Sequence, residues 1–238
     1  MNILQTLLNE RPRFHKGETE IQRHFSESET MLSAKEMKRL EQDELTCYGV
    51  EKEVLSFLYR RVEEGSKTLE TGAGCSTLIF AHCGANHLAI TPAESEIELI
   101  KKYAIEKQVS MDNVRFQAQS SDVFLPTMEE DGFDLILLDG KHAFPWPIID
   151  WFYTADKLKK DGLMLIDDAE MKSVSILVDF MLADSAWEMV QDFSGKTIVF
   201  KKLKSSVHDV AWHMQPYTYV KTGLMQKISN KLKTVVSK

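Results

Sequence analysis

Apolar positions in the first 65 residues recur at helical spacing. A short helix is predicted at 2–9, followed by a polar link through Pro12 and Gly17, then helices at 31–43 and 50–63. In the last of these Val50, Val54, Phe57, Leu58 and Val62 share one face, the pattern of a helix laid on a core. From Lys67 the texture changes, and strand-like runs at 67–71, 87–91, 113–118, 133–138 and 163–167 alternate with helical runs near 76–83, 94–107, 121–129 and 146–160. The runs Asp134-Leu-Ile-Leu-Leu138 and Leu163-Met-Leu-Ile166 are nearly continuous in apolar residues, as strands covered on both faces must be. Such alternation predicts an α/β fold with a doubly wound, mostly parallel sheet.

After a predicted helix at 172–183 the rhythm breaks. Trp187–Phe193 and Lys196–Lys202 are strand-like and joined by Ser194-Gly195, which predicts an antiparallel hairpin and brings the strands to seven. The expected division is an N-terminal helical extension or cap at 1–65, a ligand-binding domain at 66–203 and a C-terminal segment at 204–238. Five lysines and no acid fall in 221–238, with Leu224, Ile228, Leu232 and Val235 as an apolar stripe. That tail reads as a helix packed on its own domain, or as one that meets an anionic membrane surface or a partner.

A net charge of −7 argues against non-specific nucleic-acid binding, which relies on Lys and Arg against phosphates. Cys47, Cys75 and Cys83 form neither a disulfide framework nor a zinc spacing, which suits a reducing compartment, the cytoplasm by default. The first residues do not read as a secretory leader, and no stretch of 18 uninterrupted apolar residues occurs. A homo-oligomer is compatible with the sequence and is not read from it.

Candidate chemistry begins at Thr68-Leu-Glu-Thr-Gly-Ala-Gly-Cys-Ser-Thr77, a strand running into a helix through two glycines. Gly72 permits a tight turn, Gly74 a close backbone approach, and the helix start offers unpaired N–H groups. A dinucleotide would want a third Gly or Ala and an acid about 20 residues on. This chain has Thr77 and Thr91 in those places, and Glu70 stands before the turn. A carboxylate there repels a pyrophosphate and attracts an ammonium. Asp139-Gly140-Lys141-His142 ends the fourth strand, where His142 suits general-base work, and Asp167-Asp168 ends the fifth.

On four segments, Glu70–Thr77, Ile90-Thr-Pro92, Asp134–His142 and Gly162–Asp168, residues 67–202 resemble class I S-adenosylmethionine-dependent methyltransferases. More narrowly they resemble the bacterial small-molecule group with a DGxH motif. The resemblance implies a Rossmann-like methyltransferase fold with S-adenosylmethionine as cofactor. It places Glu70, Gly72 and Gly74 around the methionine part, Ser76 and Thr77 among the cofactor-binding residues, and Asp139 beside the cofactor. Ser120, Ser121 and Asp122 fall on the adenine side, with helix capping as their other reading. The family's acid at the end of the second strand is replaced by Thr91, which leaves the ribose to Thr91 or to Glu94 reaching back.

The resemblance also implies His142 and Asp139 as the catalytic pair, and Mg²⁺ or another divalent cation on Asp139, Asp167 and Asp168 in some members. Asp168 as a helix cap with Asp167 as an acceptor contact is the competing reading. The expected partner is a small-molecule methyl acceptor, a sugar or secondary-metabolite hydroxyl, or an amine. A non-catalytic S-adenosylmethionine-binding scaffold and an NAD-dependent oxidoreductase are the alternatives. Trp212, His213, Tyr217 and Tyr219 are candidates to cover the acceptor.

Overall fold

The computed structural model describes residues 3–16 and 45–219. The helix expected at 31–43 and the tail at 221–238 lie outside the described residues. Helix α1 (Ile3–Glu10), two-residue strands β1 (His15–Lys16) and β2 (Leu45–Thr46), and helix α2 (Lys52–Arg61) precede the main sheet. Strands β1 and β2 pair antiparallel, an element that the helical reading of 1–65 did not contain.

The seven-stranded sheet is built from β3 (Lys67–Thr71), β4 (Asn86–Ile90), β5 (Val114–Gln117), β6 (Phe133–Leu138), β7 (Leu158–Ile166), β8 (Trp187–Phe193) and β9 (Thr197–Lys202). Their order across the sheet is β5-β4-β3-β6-β7-β9-β8. The first five run parallel, and β9 then pairs antiparallel with β7 and with β8. The crossover helices are α3 (Cys75–His82), α4 (Glu94–Glu106), the short α5 (Ser121–Phe124), α6 (Trp146–Thr154) and α7 (Lys172–Ala183).

Strand periodicity divides the core in two. Leu135 and Leu137 join Leu78, Ile79, Phe80 and Ile100 on one face, whereas Ile136 and Leu138 join Trp151, Val174 and Leu177 on the other. Ile3, Leu7, Val54 and Leu58 belong to the first cluster, so α1 and α2 are part of the layer that covers the sheet. A fully buried Leu, Ile or Phe contributes roughly 1.5–3 kcal/mol. Position on β3 decides which layer a side chain meets. Leu69 faces the α6–α7 side, and Glu70 faces α3.

Two element boundaries differ from expectation. The helix expected at 121–129 stops at Phe124 and passes into a 3₁₀ turn, Leu125–Thr127, because Pro126 cannot supply the next helical N–H. The helix expected at 146–160 ends at Thr154, and β7 begins at Leu158 rather than near 163. Leu158 pairs with Phe133 across the sheet, and the register then shifts before Leu163 meets Leu135.

Candidate active site

The chain leaves β3 toward β4 and β5 on one side and toward β6 and β7 on the other, so the strand order reverses between β3 and β6. Open parallel sheets hold ligands at the carboxyl ends flanking such a reversal. Here Gly72 donates its N–H to Ile90 O at 2.8 Å, and Asp139 donates its N–H to Thr71 O at 3.1 Å. Gly72 adopts φ 87°, and a Cβ at that position would collide with the Asp139 carbonyl. The turn therefore needs glycine both for its backbone angle and for its neighbour.

Glu70 does not stand open to the crevice as the sequence suggested. It is 1% exposed, receives the Ser76 hydroxyl at 2.6 Å and the Thr77 hydroxyl, and lies 3.2 Å from His87 Nε2. The Thr77 oxygen also accepts the Gly74 N–H at 2.9 Å. Strand alternation is the cause, because it turns Glu70 onto the α3 face, where Ser76 and Thr77 stand in the first turn of the helix. The side chains of Glu70, Ser76 and Thr77 thus brace the turn from beneath. What the turn presents outward is backbone around Gly72–Gly74.

Two braces were missed by sequence reading. His87 stacks on Phe80 at 4.2 Å and shares Nδ1 with the Thr68 hydroxyl at 2.8 Å. A lone histidine in an apolar strand beside one that carries a lone carboxylate was the available signal. His15, from β1, bonds Ala73 O through Nε2 at 2.8 Å and accepts the Tyr48 N–H on Nδ1 at 3.2 Å. Nothing local in the sequence marks that contact, which spans 58 positions.

At the end of β4, Thr91 is buried and its hydroxyl donates to Glu96 Oε2 at 3.2 Å. The expected reach-back comes from Glu96, not from the exposed Glu94. Ser120 occupies the N-cap position of α5 without capping it, and its hydroxyl goes to Asp122. Asp122 also accepts Trp146 Nε1–H at 3.3 Å, which ties α5 to the start of α6, where Lys141 Nζ lies 3.6 Å from the Trp146 ring centroid. Asp150 is buried beneath Gly140, with Oδ2 on that side. Burial pushes Asp150 up to about 6, against the neighbouring Ser121 and Thr71 hydroxyls.

At the ends of β6 and β7 one atom each of Asp139, His142 and Asp168 lies within 4.8 Å of the others. His142 Nε2 is 3.2 Å from Asp168 Oδ2 and 3.7 Å from Asp139 Oδ1. Burial pushes Asp139 up, with His142 opposing. His142 is held above its ordinary value by Asp139, then Asp168, although burial pulls the other way.

Asp167 is not in this cluster, contrary to expectation. It continues the β6–β7 pairing by donating its N–H to Leu138 O, and its side chain takes the Thr197 hydroxyl of β9. Asp168 turns back through φ 51° and joins His142. Nor is Asp168 a helix cap, since the N-cap of α7 is Met171. Among the expected acceptor covers, Tyr217 packs edge-on against Phe180 of α7, while Trp212 is 68% exposed.

A Rossmann-like sheet closed by an antiparallel hairpin, with a braced glycine turn at its switch point, defines the class I methyltransferase architecture. Residues 69–169 match the family model described as a methyltransferase domain. No curated protein sequence matches the chain.

Several solved structures share the fold. The O-methyltransferase TomG from Streptomyces achromogenes, in complex with SAM, is 15% identical with TM-score 0.56, over 78% of this chain and 97% of that one. A putative caffeoyl-CoA O-methyltransferase from Staphylococcus aureus is 17% identical with TM-score 0.57, over 76% and 96%. An SAH-bound methyltransferase from Podospora anserina is 14% identical with TM-score 0.53, over 64% and 77%. At such identities the likeness is one of fold.

Proposed function

We propose that this enzyme methylates a hydroxyl of a small-molecule acceptor, with sugars and secondary metabolites as the acceptor class. The observation that carries the reading is the convergence of Asp139, His142 and Asp168 beside the switch point. Solved O-methyltransferases of the same fold support oxygen as the target.

When bound, S-adenosylmethionine supplies a methyl group already activated on a sulfonium. The braced backbone of Gly72–Gly74 would hold its amino-acid end, with Ser121, Asp122 and Trp146 toward the base. Alignment of the reacting atoms can contribute on the order of 7–11 kcal/mol. His142 takes the acceptor's proton as the oxygen–methyl bond forms and the carbon–sulfur pair stays on sulfur. A base so placed contributes a further ~10²–10⁴ in rate.

The same three residues fit a divalent cation. His142 Nε2 is buried and faces the two carboxylates without a well-aligned hydrogen bond to either, and two carboxylates with one imidazole make a mixed oxygen–nitrogen donor set. As an alternative to the base role, Asp139, His142 and Asp168 would hold such an ion, which would lower the acceptor hydroxyl's pKa in place of the imidazole.

S-adenosylhomocysteine at 100 times its Kd should stabilise the wild type by about 2.7 kcal/mol, raising Tm by about 5–10 °C. No shift would end the cofactor assignment. His142→Ala should lower turnover by about 10²–10⁴-fold with an unchanged Kd for S-adenosylhomocysteine. Normal turnover in that variant would remove His142 from the chemistry. Full activity after exhaustive chelation would leave the base role and discard the cation. Binding with no turnover on any hydroxylated acceptor would favour the scaffold alternative.

A further inference from the structure

The end of β4 poses a problem of hydrogen-bond accounting. A ribose presents two adjacent hydroxyls, both donors, and a carboxylate is the side chain that receives such a pair best. Nucleotide-binding sheets place that acid about 20 residues beyond the glycine turn. The strand here ends in Thr91, whose oxygen is already committed. It donates to Glu96 Oε2 at 3.2 Å and accepts the Ala93 N–H at 3.4 Å, and the residue is 3% exposed.

Glu96 is differently placed. Helix α4 opens after Pro92 with Ala93 as its N-cap, which makes Glu96 the third helical residue. From that position a glutamate ordinarily folds back toward the cap N–H. Here it folds back further, onto Thr91. The strand end it reaches is the one whose Ile90 carbonyl receives the Gly72 N–H, so the carboxylate is held by the residue that directly follows the glycine turn's strand partner. It is half-buried, and among the described residues no side chain other than Thr91 donates to it. Glu94, two positions earlier, is exposed.

We infer that Glu96 receives the ribose hydroxyls of the cofactor, with Thr91 as the positioning residue that holds the carboxylate in place. The acid required at the strand end has moved into the first turn of the following helix and is returned by one hydroxyl. This inference rests on the reading that S-adenosylmethionine binds at the glycine turn.

The test is a binding cycle by calorimetry with S-adenosylhomocysteine and its 2′-deoxy and 3′-deoxy counterparts. Removing one hydrogen bond to a charged group should weaken binding about 10- to 100-fold. Wild type should lose that much with at least one deoxy compound. Glu96→Ala should lose it with S-adenosylhomocysteine and lose little more when the same hydroxyl is absent. Thr91→Ser should keep wild-type affinity, Thr91→Val should not, and Glu94→Gln should behave as wild type. Wild-type affinity in Glu96→Ala, or an equal loss for the parent and both deoxy compounds, would overturn the inference and leave cofactor binding intact. A wild type that binds none of the three would instead overturn the cofactor assignment and this inference with it.

Discussion

Asp150 shows how one buried carboxyl contributes to the pH response of the molecule. Its group is pushed up to about 6 from an ordinary 3.8, chiefly by burial. The folded state therefore holds this proton more tightly than the unfolded chain. The contribution of this group to stability is greatest below about pH 4, falls as the pH rises toward 6, and stays reduced above it. Two units correspond to about 3 kcal/mol at most. Asp150→Asn should accordingly gain on the wild type between pH 4 and 7, measured by urea unfolding at the two pH values. A constant difference between them would show that the carboxyl is not the source. Sequence reading gave Asp150 no role, because a single acid in an aromatic-rich helix start looks like a solvated one. Glu70 was found but its surroundings were not. The residues were legible as a motif, whereas the face onto which the strand turns each side chain emerged only with the packing.

Secondary elements were most legible where composition and tertiary demand agree. The apolar runs of β6 and the second half of β7 have no stable place except between two helical layers. Ser194-Gly195 marks its hairpin locally. The stretch from Ala155 to Lys160 was misread because alanine, leucine and lysine favour helix, while pairing with Phe133 makes Leu158 a strand residue. Lys202 belongs to the same junction. It is fully buried, and Nζ donates to Ala155 O and Leu158 O, each at 2.8 Å. A cation is thus fixed where α6 ends, the favourable pole for positive charge. Lys202→Met should leave two carbonyls without a donor and cost about 2–4 kcal/mol, lowering Tm by about 5–15 °C. An unchanged melting temperature would show that the carbonyls find other donors.

Across the whole molecule, the reversal of strand order brings together residues that no local window connects. Asp139 and His142 lie within one motif, yet Asp168 joins them only because β6 and β7 are neighbours with their carboxyl ends aligned. Two adjacent aspartates looked equivalent in the sequence. One continues the strand and the other turns back, and that single change of backbone direction decides which of them meets the histidine. The glycine turn is assembled in the same non-local way. Its support comes from α3 and β4 beneath, and from His15 of β1 on another side.

That last attachment bears on how the protein can be handled. The matched stretch at 69–169 is not a free-standing unit: it lacks the β8–β9 hairpin, the buried faces of α1 and α2, and the imidazole of His15 that holds Ala73. A fusion, tag or proteolytic cut near the amino end would be transmitted through that imidazole to the peptide bond between Ala73 and Gly74.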